Sequence, residues 1–505
     1  MLREASRILD QDPALLPREL DALRADGRLV AELLPHLGRE TAVVFSRRLH
    51  AAETSLARHL GRLHRAPTSL ARRGQWTSDP LPLPPGAPPL HAAQEQAVRM
   101  ALSAPVSVLT GGPGCGKSFT VRLLVEVAEA AGAQVSLAAP TGRAAKRLSE
   151  LTGNQATTVH RLLRPGQAAT ESLFDRDPID ADLFVIDEAS MLDLVLCGRL
   201  LEKIPTGAHV LFVGDTDQLP SIGPGTVLAD LLRVPAVART ALHHVFRQEQ
   251  GSAVTAAAHR INAGQTPDSG GDFWYLRENN PNNIPDLVLD LVTRRLPAAY
   301  GVSPADIQVL CPTRRHPAGT HELGRLLQDA LNPARDGDAQ HWCDARPFRL
   351  GDRVMPTRND PKKGPNGVFN GTTGTVVTLD TEQRELEIAL DDGDTATYTF
   401  DELDDVLHAY AVTVHRAQGS EYPIVVIPLT TTGSFILRRN LLYTAVTRGK
   451  HKVIVVGEEE ALRRALAAAE PHRNTALALR LYDALFRAPA LPAPSQARDG
   501  QITLC

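Results

Sequence analysis

Eight consecutive residues, Gly111-Gly112-Pro113-Gly114-Cys115-Gly116-Lys117-Ser118, have the types and spacing to hold a triphosphate. They fit the pattern GxxxxGK[ST]. Backbone N–H groups of such a loop converge on phosphate oxygens, and the following helix N-terminus adds a partial positive charge. Lys117 would reach the β/γ-phosphates and Ser118 would ligate Mg²⁺. Gly112, Gly114, Cys115, Gly116 and Phe119 complete the cradle. The pattern needs a strand before it and a helix after it. Val106–Thr110 is a short apolar run that reads as a buried strand, and Phe119–Ala131 reads as a helix. The alternative, a glycine turn with no nucleotide, leaves both flanks unexplained.

Two further strand ends could act on the same phosphates. Leu183-Phe184-Val185-Ile186 runs into Asp187-Glu188. An Asp at a strand end beside a phosphate loop holds Mg²⁺, and a neighbouring Glu can polarise the attacking water. Without the loop upstream, the pair would be read as an acidic turn. Val213–Pro220 ends another strand, and Gln218 there could sense the γ-phosphate. Arg247 and Arg448 are candidate cationic donors to a transition state that spreads charge over phosphoryl oxygens. From spacing alone each arginine fits a surface position as well. If both reach the nucleotide, it must lie in a cleft between two domains. Ala139-Pro140-Thr141-Gly142-Arg143 opens a helix and offers a second anion seat. Ala409–Glu421 is polar and turn-rich, suited to gripping phosphates or sugars.

These residues need a scaffold. The chain has 505 residues and a formal net charge of −4. It has length for roughly three domains, and its charge does not advertise a nucleic-acid partner. Its five cysteines, Cys115, Cys197, Cys311, Cys343 and Cys505, are far apart and form no CxxC pair. Neither a disulfide framework nor a zinc site is indicated, and a reducing cytoplasm fits. No apolar run is long enough to span a bilayer, and the N-terminus has no apolar signal region.

Strand candidates at 106–110, 134–139, 183–187, 209–214, 307–311, 424–429 and 452–456 alternate with helical stretches. That alternation reads as parallel α/β layers, and its span suggests two such domains. Residues 347–406 differ. Asn366-Gly367, Asn370-Gly371 and Asp392-Gly393 turns separate alternating strands such as Leu386–Leu390, which reads as a small inserted β-barrel. Residues 13–65 read as helical. Phe45, Leu49, Leu56, Leu60 and Leu63 share one face, with Arg47, Arg48, Arg58 and Arg62 off it. Those arginines could touch phosphate, though a solvated face is the plainer account. The Pro-rich stretch 79–89 reads as an extended linker and domain boundary. The Pro/Ala-rich tail 488–505 reads as disordered.

Taken in order, Gln94, GGPGCGKS (111–118), APTGRAAKRL (139–148), TTVHRLL (157–163), VIDEASM (185–191), VGDTDQLPSIGPG (213–225), FRQ (246–248), VTVHRAQGSE (412–421) and NLLYTAVTRGK (440–450) resemble the helicase motifs of superfamily 1. The variant is that of the RecD-like DNA helicases, and the likeness covers about residues 90–460. It implies an α/β fold of two RecA-like motor domains (90–240; 241–346 with 407–487), an inserted β-barrel (347–406) and a short helical N-terminal region (1–78). It implies that Gln94 reads adenine, Asp187 holds the metal, Glu188 is the base, Gln218 couples nucleotide to DNA, and Arg247 and Arg448 stabilise the transition state. Thr141, His160, Thr413 and His415 would lie along single-stranded DNA, with Arg143 beside them. An insertion at about 161–182, with Phe174, falls where the family places a strand-separating hairpin.

The resemblance therefore implies a monomeric ATP- and Mg²⁺-dependent DNA helicase moving 5′ to 3′ in repair or recombination, acting at single/double-strand junctions. Two other readings stay open on the sequence. One is a translocase subunit of a helicase–nuclease complex, or one that works with a single-strand-binding partner. The other is a DNA-stimulated ATPase switch that remodels protein–DNA complexes without unwinding. The motifs alone do not separate DNA from RNA.

Overall fold

The computed structural model describes residues 6–486 except 8–9, 13, 37–38, 74–75, 77–80, 82, 84–85, 87–89, 164–178, 245–251, 338, 344–345, 361, 365–366, 392 and 472. Arg247, Phe174 with most of the 161–182 insertion, most of the Pro-rich stretch and the tail from 488 lie outside the described residues.

The N-terminal region is not helical throughout, as its composition suggested. After α1 (Leu16–Ala25), β1 (Leu29–His36) and β2 (Arg39–Ser46) pair antiparallel, with Glu32 opposite Val43 and Leu29 opposite Ser46. The run Thr41-Ala42-Val43-Val44-Phe45 explains the correction, because β-branched and aromatic residues fit a pleated surface better than a helix. α2 (Arg47–Arg65) then starts on a Ser46 cap, whose Oγ accepts from the Leu49 N–H. Its face of Leu56, Leu60 and Leu63 is buried in one core with Phe184 and Phe212 of the next domain. Through that face the region is packed onto its neighbour.

The first motor-type domain runs α3 (Ala92–Ser103), β3 (Val106–Gly111), α4 (Lys117–Ala130), β4 (Val135–Ala139), α5 (Gly142–Thr152), β5 (Ala156–Thr158), β6 (Leu183–Ile186), α6 (Leu194–Lys203), β7 (His209–Gly214) and β8 (Ala238–Leu242). The six strands are all parallel in the order β5-β4-β6-β7-β3-β8. β6 and β7 are buried along their whole length, which is why they read as unbroken apolar runs. In an open parallel sheet, ligands sit beyond the carboxyl ends of the strands. The ends of β3, β6 and β7 carry the glycine loop, Asp187-Glu188 and Asp215–Gln218.

The second domain contributes α7 (Ala253–Asn262), β9 (Phe273–Arg277), β10 (Ile307–Cys311) and α8 (Thr320–Leu331). A hairpin follows, β11 (Gln340–Cys343) with β12 (Arg346–Arg349). Then come β13 (Arg353–Pro356), β14 (Gly374–Asp380), β15 (Glu385–Leu390), β16 (Thr395–Thr399) and β17 (Val406–His408), an antiparallel sheet in the order β16-β15-β14-β13-β17. Val354, Val376, Leu386, Ile388 and Tyr398 give it a core of its own. The chain returns through β18 (Ala411–Thr413), β19 (Tyr422–Leu429), α9 (Arg439–Val446), β20 (Gly449–Gly457) and α10 (Leu477–Phe486). The second parallel sheet has the order β18-β10-β19-β20-β9.

The inserted sheet is welded to its host through Asp352, whose side chain is fully buried. Its carboxylate accepts from Gln328 Nε2 (2.7 Å), Asn332 Nδ2 (2.8 Å), the Arg349 N–H (2.8 Å) and the Tyr410 hydroxyl (2.9 Å). Burial works to raise its pKa, but His408 and these donors outweigh it and hold the group below the ordinary carboxylate value. A buried polar group with every acceptor site used fixes one arrangement. α10 packs against α2. Leu477 and Leu481 enter the core that holds α2, and Glu53 accepts from Thr475 Oγ1 (2.9 Å) and the Ala476 N–H (3.3 Å).

Candidate nucleotide and nucleic-acid site

The glycine loop folds as its sequence requires. Gly114 (φ 72°) and Gly116 (φ 80°) occupy left-handed backbone, which glycine adopts at no steric cost. Gly116 caps α4, so the amides of the first helical turn face the loop. Lys117 Nζ donates to the carbonyls of Gly111 (2.5 Å) and Gly112 (2.8 Å), and so lies along the loop. Cys115 is buried, and that burial pushes its thiol pKa up, so it packs as a small apolar residue. Phe119 lies in the first turn of α4 with the Arg122 guanidinium 5.4 Å from its ring.

Asp187 is partly buried at the end of β6. Burial, and then the charge of Glu188, raise its pKa; Lys117 and Arg147 act against that as nearby positive charges. Glu188 is held at φ 50°, a left-handed conformation costly for a non-glycine residue, on the order of 1–3 kcal/mol. Its N–H donates to Asp187 Oδ1 at 2.8 Å. Backbone strain and a destabilised carboxylate at one strand end fit a cation site. Among the described residues no group of three or more His, Cys, Asp or Glu could hold a metal alone. A magnesium ion here would rest on Ser118, Asp187 and phosphate oxygens, the usual mixed coordination for that ion.

The second domain reaches across to this loop. Arg448, 4% exposed, donates from Nη2 to Gln218 Oε1 at 2.9 Å, and from Nη1 to the Ser420 carbonyl at 3.2 Å. Gln218 Nε2 donates to Asp215 Oδ2 (3.3 Å). Tyr443 donates its hydroxyl to the same oxygen at 2.9 Å, which with burial raises its own pKa. A Cβ placed on Gly112 would lie 3.4 Å from that hydroxyl, so Tyr443 stands directly over the loop. The Leu219 N–H donates to Thr444 Oγ1 (2.8 Å), and Gln418 Nε2 donates to the Leu219 carbonyl (3.0 Å). The expected pair Gln218 and Arg448 therefore meet, while Arg247 lies outside the described residues. Gln94 is buried and its Oε1 accepts from the His91 N–H at 3.1 Å, a local capping task.

The residues expected along a nucleic acid fall into separate places. Thr413 and His415 line a cavity of about 700 Å³ that runs between the domains beneath Ile222, Arg314 and Phe435. Burial lowers the His415 pKa, and Arg314 adds to that. Thr413 and Arg314 also line an adjoining cavity of about 820 Å³ beneath the inserted sheet. Thr141 caps α5, with its Oγ1 accepting from the Ala144 N–H. It faces the turn at Gly419, where a Cβ would lie 2.8 Å from that Oγ1. His160 is apart from these, exposed in a cavity of about 730 Å³ shared with Arg48 and Arg199. Arg143 has other partners. Its guanidinium donates to Ser420 Oγ (2.8 Å), the Tyr422 hydroxyl (3.2 Å) and Thr373 Oγ1 (2.5 Å).

Sequence reasoning did not single out Tyr443, Asp215 or Thr444, although they lie inside or beside segments it had marked. The stretch 309–333 also resembles the RecD-like family, but no site role was assigned within it to Thr313-Arg314-Arg315-His316. His316, at φ 81°, is one of the few non-glycine residues in left-handed backbone. Phe435, 80% exposed beside that cluster, was given no role either.

Three family descriptions match the chain: an AAA domain over residues 89–275, an ATP-dependent RecD-like DNA helicase SH3 domain over 323–390, and a UvrD-like helicase C-terminal domain over 408–456. The ATP-dependent RecD2 DNA helicase of Deinococcus radiodurans is 40% identical over 374 residues, which is 74% of this chain and 50% of that protein. The chain thus spans about half the length of that relative. The RecBCD enzyme subunit RecD of Mycolicibacterium smegmatis is 34% identical, over 74% of this chain and 72% of that one. Among solved structures, a Pif1 helicase from Bacteroides in complex with ADP-AlF3 and ssDNA superposes with a TM-score of 0.48 at 19% identity, over 76% of this chain and 95% of that one.

Proposed function

The chain belongs to the RecD family of superfamily 1 helicases, and from that premise we propose that it is an ATP- and Mg²⁺-dependent motor that moves 5′ to 3′ on single-stranded DNA and opens duplex at junctions. The observation that carries the reading is the Arg448–Gln218 hydrogen bond across the cleft, with Tyr443 over the phosphate loop. It joins a cationic donor of one domain to the strand end of the other that borders the loop. Closing the cleft and completing the site are then one event.

Bound ATP and Mg²⁺ supply the phosphoanhydride and the charge that neutralises it. Loop amides and Lys117 orient the phosphates, and Ser118 and Asp187 hold the ion. Glu188, fixed by its strained backbone, takes the proton of the attacking water. Arg448 and Arg247 meet the charge that develops on the transferred group, where an arginine is worth roughly 10³–10⁵ in rate. Gln94 contacts the adenine. Thr141, Thr413, His415 and His160 contact the strand, and ordered hydrolysis shifts their grip as the cleft opens. Repair or recombination in the cytoplasm is the setting that fits. Membership of the RecD family is what favours that setting. Separately, among the described residues no helix is long and apolar enough to cross a membrane.

The test is unwinding by the purified chain of duplexes with a 5′ tail, a 3′ tail or blunt ends, with ATP and Mg²⁺. Opening of the 5′-tailed duplex alone is expected. DNA-stimulated hydrolysis with no opening would favour the second reading, a translocase subunit that needs a partner. The relative that this chain covers for 72% of its length, a named subunit of the RecBCD enzyme, supports that reading. Hydrolysis indifferent to DNA would sink both.

A further inference from the structure

We infer that Arg143 is not a strand contact but the residue that ties closure of the motor cleft to the position of the inserted sheet. It is a positioning residue for the step proposed above, and the inference rests on that reading.

Arg143 lies in the first turn of α5, in the first domain. Its three hydroxyl partners belong to two other bodies. Tyr422 opens β19 in the second domain and Ser420 lies two residues before it, while Thr373 immediately precedes β14 of the inserted sheet. One guanidinium thus joins three parts of the molecule. A planar fork of donors suits this task, because each nitrogen can address a separate acceptor from one fixed frame.

Thr373 is the informative partner. It is 3% exposed, and its hydroxyl accepts from Arg143 while donating to Asp391. Asp391 is in turn held by Arg353, with Nη1 at 2.7 Å and Nη2 at 2.8 Å. The chain Arg143–Thr373–Asp391–Arg353 runs from the first domain into the base of the inserted sheet without a break. Two contacts beside it require the same approach. Arg147 pairs with Glu421 at 2.7 Å. Gly142 lies so near Phe369 that a Cβ there would stand 2.2 Å from the Phe369 side chain. The guanidinium also stands 5.9 Å from the Tyr422 ring centroid. Phosphate binding would have to compete with all of these acceptors. Because Asp352 welds the inserted sheet to the second domain, opening the cleft must either break the Arg143 contacts or deform that weld.

The experiment is a set of variants of the full chain: Arg143→Ala, Thr373→Val, Thr373→Ser, Tyr422→Phe and the double Arg143→Ala/Thr373→Val. For each, kcat and KM for ATP are measured with saturating poly(dT). Affinity for a dT oligonucleotide is measured without nucleotide, and thermal melting reports folding. Coupling between two sites is typically 5–150-fold. Arg143→Ala and Thr373→Val should each lower kcat about tenfold. The double variant should be no worse than either single one, since both break one chain of contacts. KM and oligonucleotide affinity should stay within about twofold, and Thr373→Ser should behave as the parent.

Two results would overturn the inference. One is a tenfold or greater loss of oligonucleotide affinity in Arg143→Ala that Thr373→Val does not share, which would make Arg143 a strand ligand. The other is a pair of losses that multiply in the double variant. If Thr373→Val melts early, Tyr422→Phe takes its place in the cycle. Failure of the motor reading looks different: the parent chain itself would show no DNA-stimulated hydrolysis.

Discussion

Among the contacts that cross the cleft between the domains, two sets are built from different chemistry. On the nucleotide side, Arg448, Gln218, Tyr443, Asp215 and Thr444 are all buried, and each hydrogen bond lies within a few residues of a strand end that carries catalytic groups. On the inserted-sheet side, Arg143 and Arg147 reach across to hydroxyls and to Glu421 with partly exposed side chains. Hydrogen bonds to buried charged groups are costly to break singly, because the group left behind is buried and unsatisfied. Contacts made by partly exposed guanidinium groups are screened by solvent and cost less to exchange. The first set is suited to being right or absent, and the second to being made and released in each cycle.

The largest effects belong to the nucleotide side. Lys117→Ala should abolish ATP hydrolysis. Glu188→Gln should keep ATP binding while turnover falls by about 10²–10⁴, the usual contribution of a general base. Rapid-quench hydrolysis beside nucleotide-binding measurements checks both. Normal turnover in Glu188→Gln would remove Glu188 from its role and break the comparison at its root.

The sequence carried the nucleotide side because phosphate chemistry constrains residue type at fixed spacing. Gly114, Gly116, Lys117, Asp187 and Gln218 could be named before any fold was known. The seven strand candidates were legible for a related reason, since a strand buried on both faces must be an unbroken apolar run. Short or half-exposed strands carry no such signature. β5 and β18 have three residues each, and β8 alternates exposed and buried positions. The β1–β2 hairpin was missed because the leucines of β1 also suit a helix, although Thr41–Phe45 carries a β-branched and aromatic run. The inserted-sheet contacts were illegible for a deeper reason. Ser420, Tyr422 and Thr373 are ordinary hydroxyl residues, and only the tertiary fold brings residues 143, 373 and 420 together.

The next test sharpens the contrast within the nucleotide side. Arg448→Ala should lower kcat by about 10³, the lower end for an arginine acting on a phosphoryl transition state. Gln218→Ala should lower it less, and adding it to Arg448→Ala should cost little more, because the two side chains hold one another. Fully additive losses, read from steady-state kcat with saturating DNA, would mean that the hydrogen bond between them plays no part in turnover. Tyr443→Phe removes one hydroxyl from Asp215 and leaves Gln218 as the side-chain donor to that oxygen. A loss of roughly 0.5–1.5 kcal/mol, up to about tenfold in kcat, is expected from one lost hydrogen bond to an oxygen that keeps a second donor.

The smallest effect falls on the inserted-sheet side and is read as stability rather than rate. Burial raises the Asp391 pKa, but the hydrogen bonds and charge of Arg353, with Thr373, bring it below the ordinary carboxylate value. A carboxylate with a depressed folded pKa stabilises the protein above its unfolded value, near 3.8, and loses that contribution as pH falls through the folded value. Asp391 is 45% exposed, so solvent screens the pair and the contribution is about 1 kcal/mol. Asp391→Asn should therefore lower stability by that amount at pH 7, and the difference from the parent should vanish as the pH drops below the folded pKa. Equal urea midpoints at pH 7 would show that the Arg353 pair adds nothing. A difference that persists in acid would place the cost in packing, and the Arg143–Thr373–Asp391–Arg353 chain would then be held by shape rather than charge.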